Sequence, residues 1–562
     1  MNFKYPIQYL NETKKLNETV KEDLELVKAN DDTVKPIYDH YINPKTELGK
    51  ITLEEMSNYY TTNIDFLKNT QNVIENINKV DTDNDVIKTT YDSWKKIKSE
   101  EYFIEKYQYI GWEKLKWLNN STLFLQLLSV YNIFSPVINL VSPLIVFIVP
   151  FLMLKTLRVK INWQMYKKIL IMQLKNHAIG RLFTSFGSVK MSQKIYILFC
   201  AGMYIYNLYQ NIISCIRYYK NSFYILENIN TLKKYLRHTI TRINTFTDNV
   251  EKLEKYSEFS KDLKNEKKKL EFFLNEIEHL PTKTLSMKNL LMLGKTMKSF
   301  YKIYDCIDLN ETMEYSFKFN GYIECLQGVK NNINEGKVKL VKFKKKINCK
   351  FKKMYHPSIE HPIKNNIDLS KNKIITGPNA SGKTTILKTL LINVILSQQY
   401  GYGYFDNGVL NPYDHIHCYL NIPDTSGRDS LFQAEARRCK EILDLIEENP
   451  DNRHICIFDE LYSGTNPYEA VSSAYGFLKY IKKNKNVNFL LTTHFIRLCK
   501  LLEKEKNVEN CRMKSTIDNY KPKYYYVLEK EISKIKGGIA VLKEIEYPEE
   551  ILNHAKEILE KI

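Results

Sequence analysis

The sequence predicts an α/β domain at its C-terminal end, preceded by mainly α-helical regions. Three observations predict it. The first is NKIITGPNASGKTTILKTLL, where Ile374 and Ile375 supply a buried strand, a loop bounded by glycines follows, and Ile386, Leu387, Leu390 and Leu391 supply a helix. The second is His454-Ile-Cys-Ile-Phe-Asp459-Glu460, a short apolar strand ending in two acids. The third is LLTTHF, another apolar strand that ends in Thr493 and His494.

The loop of the first stretch spells G-x-x-x-x-G-K-[ST] through Gly377, Pro378, Asn379, Ala380, Ser381, Gly382, Lys383 and Thr384, with Thr385 next. Its glycines let the backbone curl around phosphates, with N–H groups and the helix N-terminus aimed at the anion. Lys383 is expected to reach the β- and γ-phosphates of ATP, and Thr384 to ligate Mg²⁺. Asp459 would hold that Mg²⁺ through its water shell, and Glu460 would polarise the attacking water as general base. An acidic loop after a core strand is the blander account of these two residues. The P-loop lying 76 residues upstream (459 − 383) favours the chemical one. A lone histidine is more often structural, but His494 ends the third strand of this series, where it can sense the γ-phosphate. The C-terminal domain is therefore expected to be a P-loop NTPase.

The whole chain sets limits on this reading. With 562 residues it can hold several domains, and only 16 Pro and 19 Gly argue against long disordered linkers. The net charge of +19 favours acidic partners, nucleic acid or anionic lipid, without choosing between them. Ten scattered cysteines without a C-x-x-C pair, behind a polar start, read as reduced thiols in an intracellular compartment. His415, His417 and Cys418 lie close in sequence, but strand alternation sends the two histidines to one face and Cys418 to the other, as in a structural strand.

Four regions follow from the pattern. Residues 1–116 are helical, with Leu16, Val20, Leu24 and Val27 as one stripe. Residues 117–216 are apolar: Trp117 to Leu154 is a charge-free run of 38 residues, broken by Pro136, Pro143 and Pro150, and Ile195 to Ile216 is one of 22. A bilayer span needs about 20 apolar residues. The first run is hard to bury in a soluble core, so transmembrane helices are expected here, with the ATPase on the ATP-containing side. One crossing in each run puts the Lys- and Arg-rich segment 155–194 on the far side, against the positive-inside tendency. A re-entrant first run with an interfacial second avoids that conflict, and both arrangements remain open. Residues 217–345 are a helical core or lever, in which Val250, Leu253, Tyr256, Phe259, Leu263, Leu270, Phe273, Ile277 and Leu280 predict one long amphipathic helix ended by Pro281. Nine lysines between Lys337 and Lys353 begin in alternation with apolar residues, as in an edge strand with a solvated face. The ATPase domain is expected over 346–562.

The motifs together resemble the MutS family of mismatch-recognition ATPases. Thr376-Gly-Pro-Asn379-Ala-Ser-Gly-Lys383-Thr-Thr385 is similar to that family's P-loop, and Tyr355-His356-Pro357 to its R-H-P segment near the nucleotide base. Ser430, Phe432 and Glu435 resemble its S-x-F-x-x-E signature, and Asp459 to Thr465 its D-E-x-x-x-G-T segment. Gly537-Gly538-Ile539-Ala540-Val541, then Pro548, Ile551 and Ala555, are similar to its ending. The resemblance implies a homodimer with composite sites, in which Ser430 acts in trans and Gly464 and Thr465 face the partner. It also implies DNA as a partner. A mismatch reader, connector and clamp are not expected. Phe103-Ile104-Glu105 is the one candidate for the family's Phe-x-Glu wedge, and its charged helical setting speaks against it. Two functions stay open: a reduced MutS-type ATPase acting on DNA in repair or recombination, and a membrane-anchored MutS-like ATPase with a remodelling or tethering role. An ABC transporter would need an LSGGQ-like signature, which the sequence lacks.

Overall fold

The computed structural model describes residues 3–31, 33–77, 80, 84–156, 162–175, 177–281, 287–345, 349–420, 430–518, 521–535, 539, 542–543 and 545–561. The chain divides into two compact units. Unit 1 is Met1–Asn84, Thr241–Glu266 and Tyr315–Ile562; unit 2 is Asp85–Ile240 and Lys267–Glu314.

Unit 1 opens with a two-stranded antiparallel sheet of β1 (Thr13–Lys15) and β2 (Tyr59–Thr61). Three short helices lie between these strands, α1 (Glu18–Asp23), α2 (Ile37–Tyr41) and α3 (Glu47–Met56), and α4 (Ile64–Asn76) follows. The stripe expected from Leu16 to Val27 is cut short. Helix α1 starts at the side-chain cap of Asn17 and stops at Leu24, because Glu25 takes a left-handed φ of 53°. Leu16, Val20 and Leu24 are nevertheless buried.

Unit 2 is helical: α5 (Asp85–Lys98), α6 (Phe103–Lys106), α7 (Thr122–Thr156), α8 (Trp163–Leu174), α9 (Ala178–Thr184), the first part of α10 (Met191–Val250), the later part of α11 (Ser257–Glu278), α12 (Met287–Leu290), α13 (Leu293–Asp305) and the start of α14 (Ile307–Asn334). Phe103 is buried and stacks on Tyr304 at 3.9 Å, a core position that no wedge residue could use. The long helix expected across 250–280 is two: α10 ends at Val250, a 3-10 turn spans Glu254–Tyr256, and α11 begins at Ser257.

The expected transmembrane helices are not supported. Among the described residues no single helix is long and apolar enough to cross a membrane; one bent pair, Glu113–Asn120 with Thr122–Ile138 at 91°, passes by length and composition only. Burial in a soluble core does not describe these segments either. Leu123 and Leu127 on α7, and Ile195 and Phe199 on α10, are each more than 60% exposed. The inner sides of α7 and α10 meet through Tyr218, whose hydroxyl donates to Ser129 Oγ at 2.6 Å.

The remainder of unit 1 is α/β. After α14 come β3 (Lys339–Phe343), β4 (Cys349–Met354), β5 (Asn365–Asp368), β6 (Asn372–Thr376), β7 (Tyr402–Gly403), β8 (Asn407–Leu410), β9 (His415–Tyr419), β10 (His454–Asp459), β11 (Val487–Thr492), β12 (Val508–Asp518) and β13 (Lys521–Glu529). Helices α15 (Lys383–Tyr400), α16 (Leu431–Glu448), α17 (Pro467–Ile481) and α18 (Ile496–Glu503) are interleaved, and a final helix spans Glu549–Lys561. One sheet has the order β5-β4-β8-β3-β7. The lysine-rich β3 is thus not an edge strand, since β8 and β7 flank it, but Lys339 and Lys342 do face solvent.

The second sheet has the order β13-β12-β6-β11-β10-β9, parallel throughout except for the β12–β13 pair. Its central strands are buried along their length, which is why they read as unbroken apolar runs. Helix α15 is buried almost all round, its polar side chains included, and sits in the core. Its last turn carries two buried amides, and residues 1–84 supply partners to both. Gln399 donates to the Ser57 and Tyr59 carbonyls (3.3 and 3.0 Å), Gln398 to the Thr61 carbonyl (3.2 Å), and the Tyr38 hydroxyl donates to Gln399 Oε1 (2.6 Å). Each bond is worth about 1 kcal/mol net, and leaving a buried amide unpaired costs more.

Candidate active site

Strands β6, β10 and β11 are neighbours and run parallel, so the loops at their C-terminal ends converge. The loop after β6 is the Gly377–Gly382 stretch. Ala380 and Gly382 both have left-handed φ values, 59° and 91°, which fold the backbone back onto the start of α15. Ser381 closes the curl by donating to the Pro378 carbonyl at 2.7 Å, and Asn379 and Ala380 face outward.

Lys383 leaves the first turn of α15 buried, its Nζ 3.2 Å from the carbonyls of both Gly377 and Pro378. The same Nζ lies 3.1 Å from His494 Nε2 and 3.8 Å from Glu460 Oε1. Burial lowers the Lys383 pKa, and the charges of Glu460 and Asp459 oppose that shift. Thr384 Oγ1 donates to Asp459 Oδ2 at 2.7 Å, while Asp459 Oδ1 accepts from Thr492, its register partner on β11. Two hard oxygens meeting at the loop's mouth suit Mg²⁺, which takes one or two protein oxygens and completes its shell with water and phosphate. Thr384 and Asp459 would hold it. Among the described residues no group of three or more His, Cys, Asp or Glu side chains could hold a metal.

Glu460 has a left-handed φ of 53°, and its N–H donates to the Thr492 carbonyl at 3.1 Å. Such a backbone in a non-glycine residue costs of order 1 kcal/mol or more and persists only where the surroundings impose it. The effect is to turn the carboxylate toward His494, with 2.8 Å between Oε1 and Nε2. That hydrogen bond is the largest cause holding the Glu460 carboxyl below its usual range, so it stays ionised at neutral pH.

Beside the loop is a cavity of about 610 Å³, lined by Tyr355, His356, Ile359, Met513 and Tyr526 together with Gly382 to Ile386 and Glu460. Burial pushes the His356 pKa down to about 4, so that wall is uncharged. Tyr526 and Asn365 escaped sequence reasoning. Asn365 bonds the backbone of β13 on both sides of Val527, accepting from Leu528 N (2.8 Å) and donating to Tyr526 O (2.9 Å). A strand so far from the P-loop in sequence leaves no local signal of its part in the cavity. Thr492 was missed too, although it precedes Thr493 within LLTTHF.

Ser430 is not brought to this cluster. It is exposed and caps α16 by accepting from Gln433 N at 3.3 Å, with Gln433 returning a bond to its N–H. Residues 421–429 and Gly537, Gly538, Ala540 and Val541 lie outside the described residues. One turn beyond Ser430, buried Glu435 accepts from Ser463 N (3.0 Å), Ser463 Oγ (2.8 Å) and Gly464 N (3.1 Å). The Gly464 backbone passes so close to Phe432 N that a side chain there would clash. Glu435 is therefore the anchor of the Gly464–Thr465 loop. Replacing it by Ala removes three part-buried hydrogen bonds, each worth about 0.5–1.5 kcal/mol, and urea unfolding should show a loss of about 1–3 kcal/mol.

His415, His417 and His454 stack at the opposite end of the sheet, with His417 Nε2 3.0 Å from His454 Nδ1. Burial takes His417 down to about 3 and His415 to about 4, so the group is a neutral structural stack. All ten cysteines are free.

Residues 373–562 match the family model of MutS domain V, a P-loop ATPase-type domain. The DNA mismatch repair protein MutS of Persephonella marina is 29% identical over 216 residues, 37% of this chain and 24% of that protein. Endonuclease MutS2 of Thermus thermophilus is 28% identical over 211 residues, 36% of this chain and 27% of that one. MutS of Listeria monocytogenes matches over a longer stretch, 23% identical across 307 residues, or 51% of this chain and 35% of its own length. The chain spans about a quarter to a third of the length of these relatives. The C-terminal part is thus a MutS domain V-type ATPase domain, and these relatives support kinship with MutS proteins.

Proposed function

We propose that the protein is a MutS-like ATPase that binds ATP with Mg²⁺ and hydrolyses it in a dimer with composite sites, coupled to binding DNA. The convergence of Lys383, Thr384, Asp459, Glu460 and His494 on one loop mouth carries this reading. Lys383 draws the β- and γ-phosphates to the loop, where the α15 N-terminus and the Gly382–Thr385 amides face the anion. Mg²⁺, which Thr384 and Asp459 would hold, would supply neutralisation of the phosphate charge. Glu460 accepts the proton of the attacking water, and His494 holds Glu460 in place.

The dimer is supported by Ser430 facing solvent, by the Gly464–Thr465 loop anchored on Glu435, and by Ile551 and Ile558 exposed on the final helix. DNA is supported by the relatives' names as DNA mismatch repair proteins and by the +19 charge. Anisotropy of a labelled duplex tests it. ATP should change duplex affinity about 5- to 150-fold relative to ADP. No nucleotide dependence and no duplex binding would remove DNA from the account.

A second reading keeps the same engine in an intracellular, membrane-associated protein with a remodelling or tethering role. The exposed apolar side chains of α7 and α10 favour it.

A further inference from the structure

Between Glu113 and Glu227 the chain has no Asp or Glu at all, while 13 Lys and Arg fall in those 113 residues. This segment alone therefore carries +13 of the net +19. It forms α7, α8, α9 and the first part of α10.

Its apolar side chains are ordered as well as exposed. On α7 they recur at steps of three and four through Leu123, Leu127, Tyr131, Phe134, Ile138 and Val141, which places them on one helix face. On α10 the same steps run through Ile195, Phe199, Met203, Tyr206 and Tyr209. The other sides of both helices pack within the unit, Leu125, Ser129, Ala201 and Tyr218 being buried. Short α8 has no buried residue and exposes Trp163, Met165 and Met172 beside Lys167 and Lys168. A stable monomer rarely leaves so extended an apolar surface in water.

We propose that this face docks on the surface of an anionic phospholipid bilayer, lying in the interface without crossing it. The inference rests on the membrane reading above and narrows it. Helices with an apolar face, flanking Lys and an interfacial Trp sit at the boundary between headgroups and acyl chains. The complete lack of acids excludes repulsion from lipid phosphates, and the lysines add attraction to them. A DNA duplex would satisfy the lysines but would leave the Leu, Ile and Phe side chains exposed. A second copy would satisfy the apolar stripes but would set two acid-free +13 surfaces against each other. Lipid satisfies both properties together.

The test uses the full chain and flotation with vesicles of phosphatidylcholine alone or of phosphatidylcholine with phosphatidylserine. Strong flotation is expected with the anionic vesicles and little with the neutral ones. The variant Lys167→Gln/Lys168→Gln/Lys175→Gln should weaken anionic-vesicle binding about a hundredfold, each lysine near the surface counting for a factor of about five. Leu123→Ser/Ile195→Ser/Phe199→Ser should weaken it further, by about tenfold or more for each side chain withdrawn from the lipid. Both variants alter exposed positions, and retained ATP hydrolysis shows that they fold. Equal binding to neutral vesicles, or indifference to both variants, overturns the proposal. So does vesicle-free oligomerisation through the apolar stripes, or duplex binding lost in the lysine variant without any flotation. Alkaline carbonate separates the two membrane ideas. Release supports interfacial docking, whereas retention in the pellet refutes it and leaves an integral anchor. Absence of all vesicle binding removes both.

Discussion

Lys383→Ala should take ATP binding from a micromolar-class site to a millimolar one or weaker. The Lys383 ammonium is buried, aimed along the loop by the Gly377 and Pro378 carbonyls, and flanked by Glu460 and His494. Truncating one partner of a buried, hydrogen-bonded charge pair costs about 2–5 kcal/mol, and about 4 kcal/mol spans that change in affinity. The loss has a second source. Without the ammonium, Glu460 and Asp459 present uncompensated negative charge to the incoming phosphates. Equilibrium binding of a fluorescent ATP analogue measures the effect, and Lys383→Arg should recover little, because the buried channel fits a compact ammonium better than a planar fork. An unchanged affinity in Lys383→Ala would mean that this loop is not the phosphate site.

Glu460→Gln should leave ATP binding intact and cut turnover about a hundred- to ten-thousandfold, the range of a positioned general base. The amide keeps the shape of the side chain and can still bond His494 Nε2, so the left-handed backbone at position 460 and the loop around it need not move. What it loses is the capacity to take a proton from water. ATP then persists in the site, and the protein should accumulate as a dimer under ATP in sedimentation velocity, while remaining unchanged under ADP. Normal hydrolysis by Glu460→Gln would reassign the base. A monomer under ATP, with hydrolysis stopped, would keep the base and remove the composite dimer.

The legible part of this molecule is the part written locally. The P-loop, the acids that end β10 and the Thr-His that ends β11 each occupy a few consecutive residues, because a strand end and the loop after it are contiguous. Parallel packing of β6, β10 and β11 then brings them together without further signals. The histidine alternation in β9 was legible for the same reason, its neutral stack being a consequence of period-two geometry.

What was not legible depends on distant partners. Residues 1–84 pack in one unit with the ATPase strands because Gln71, Gln398 and Gln399 find carbonyl and hydroxyl partners hundreds of residues away, and a glutamine in an apolar helix does not announce them. Helix stripes were read too long at Leu24 and at Val250, where a left-handed Glu25 and a 3-10 turn break the chain while the apolar period runs on. The apolar run from Trp117 was read by composition as spanning a membrane. Composition cannot separate crossing from lying on a surface, and the proposal of surface docking draws instead on the exposed, regularly spaced side chains of Leu123 to Val141. Tyr526 and Asn365 reached the cavity from strands of two different sheets, tied by a side-chain bond that no short motif encodes.

The central claim is that the cluster around Lys383 and Glu460 hydrolyses ATP. It is tested most directly by phosphate release from the purified full chain, with Mg²⁺ and with the metal chelated. The account predicts steady release of phosphate with Mg²⁺, none after chelation, none from Lys383→Ala, and about a hundredth of the normal rate or less from Glu460→Gln. Release at the normal rate in both variants, or release that needed no divalent cation, would contradict it.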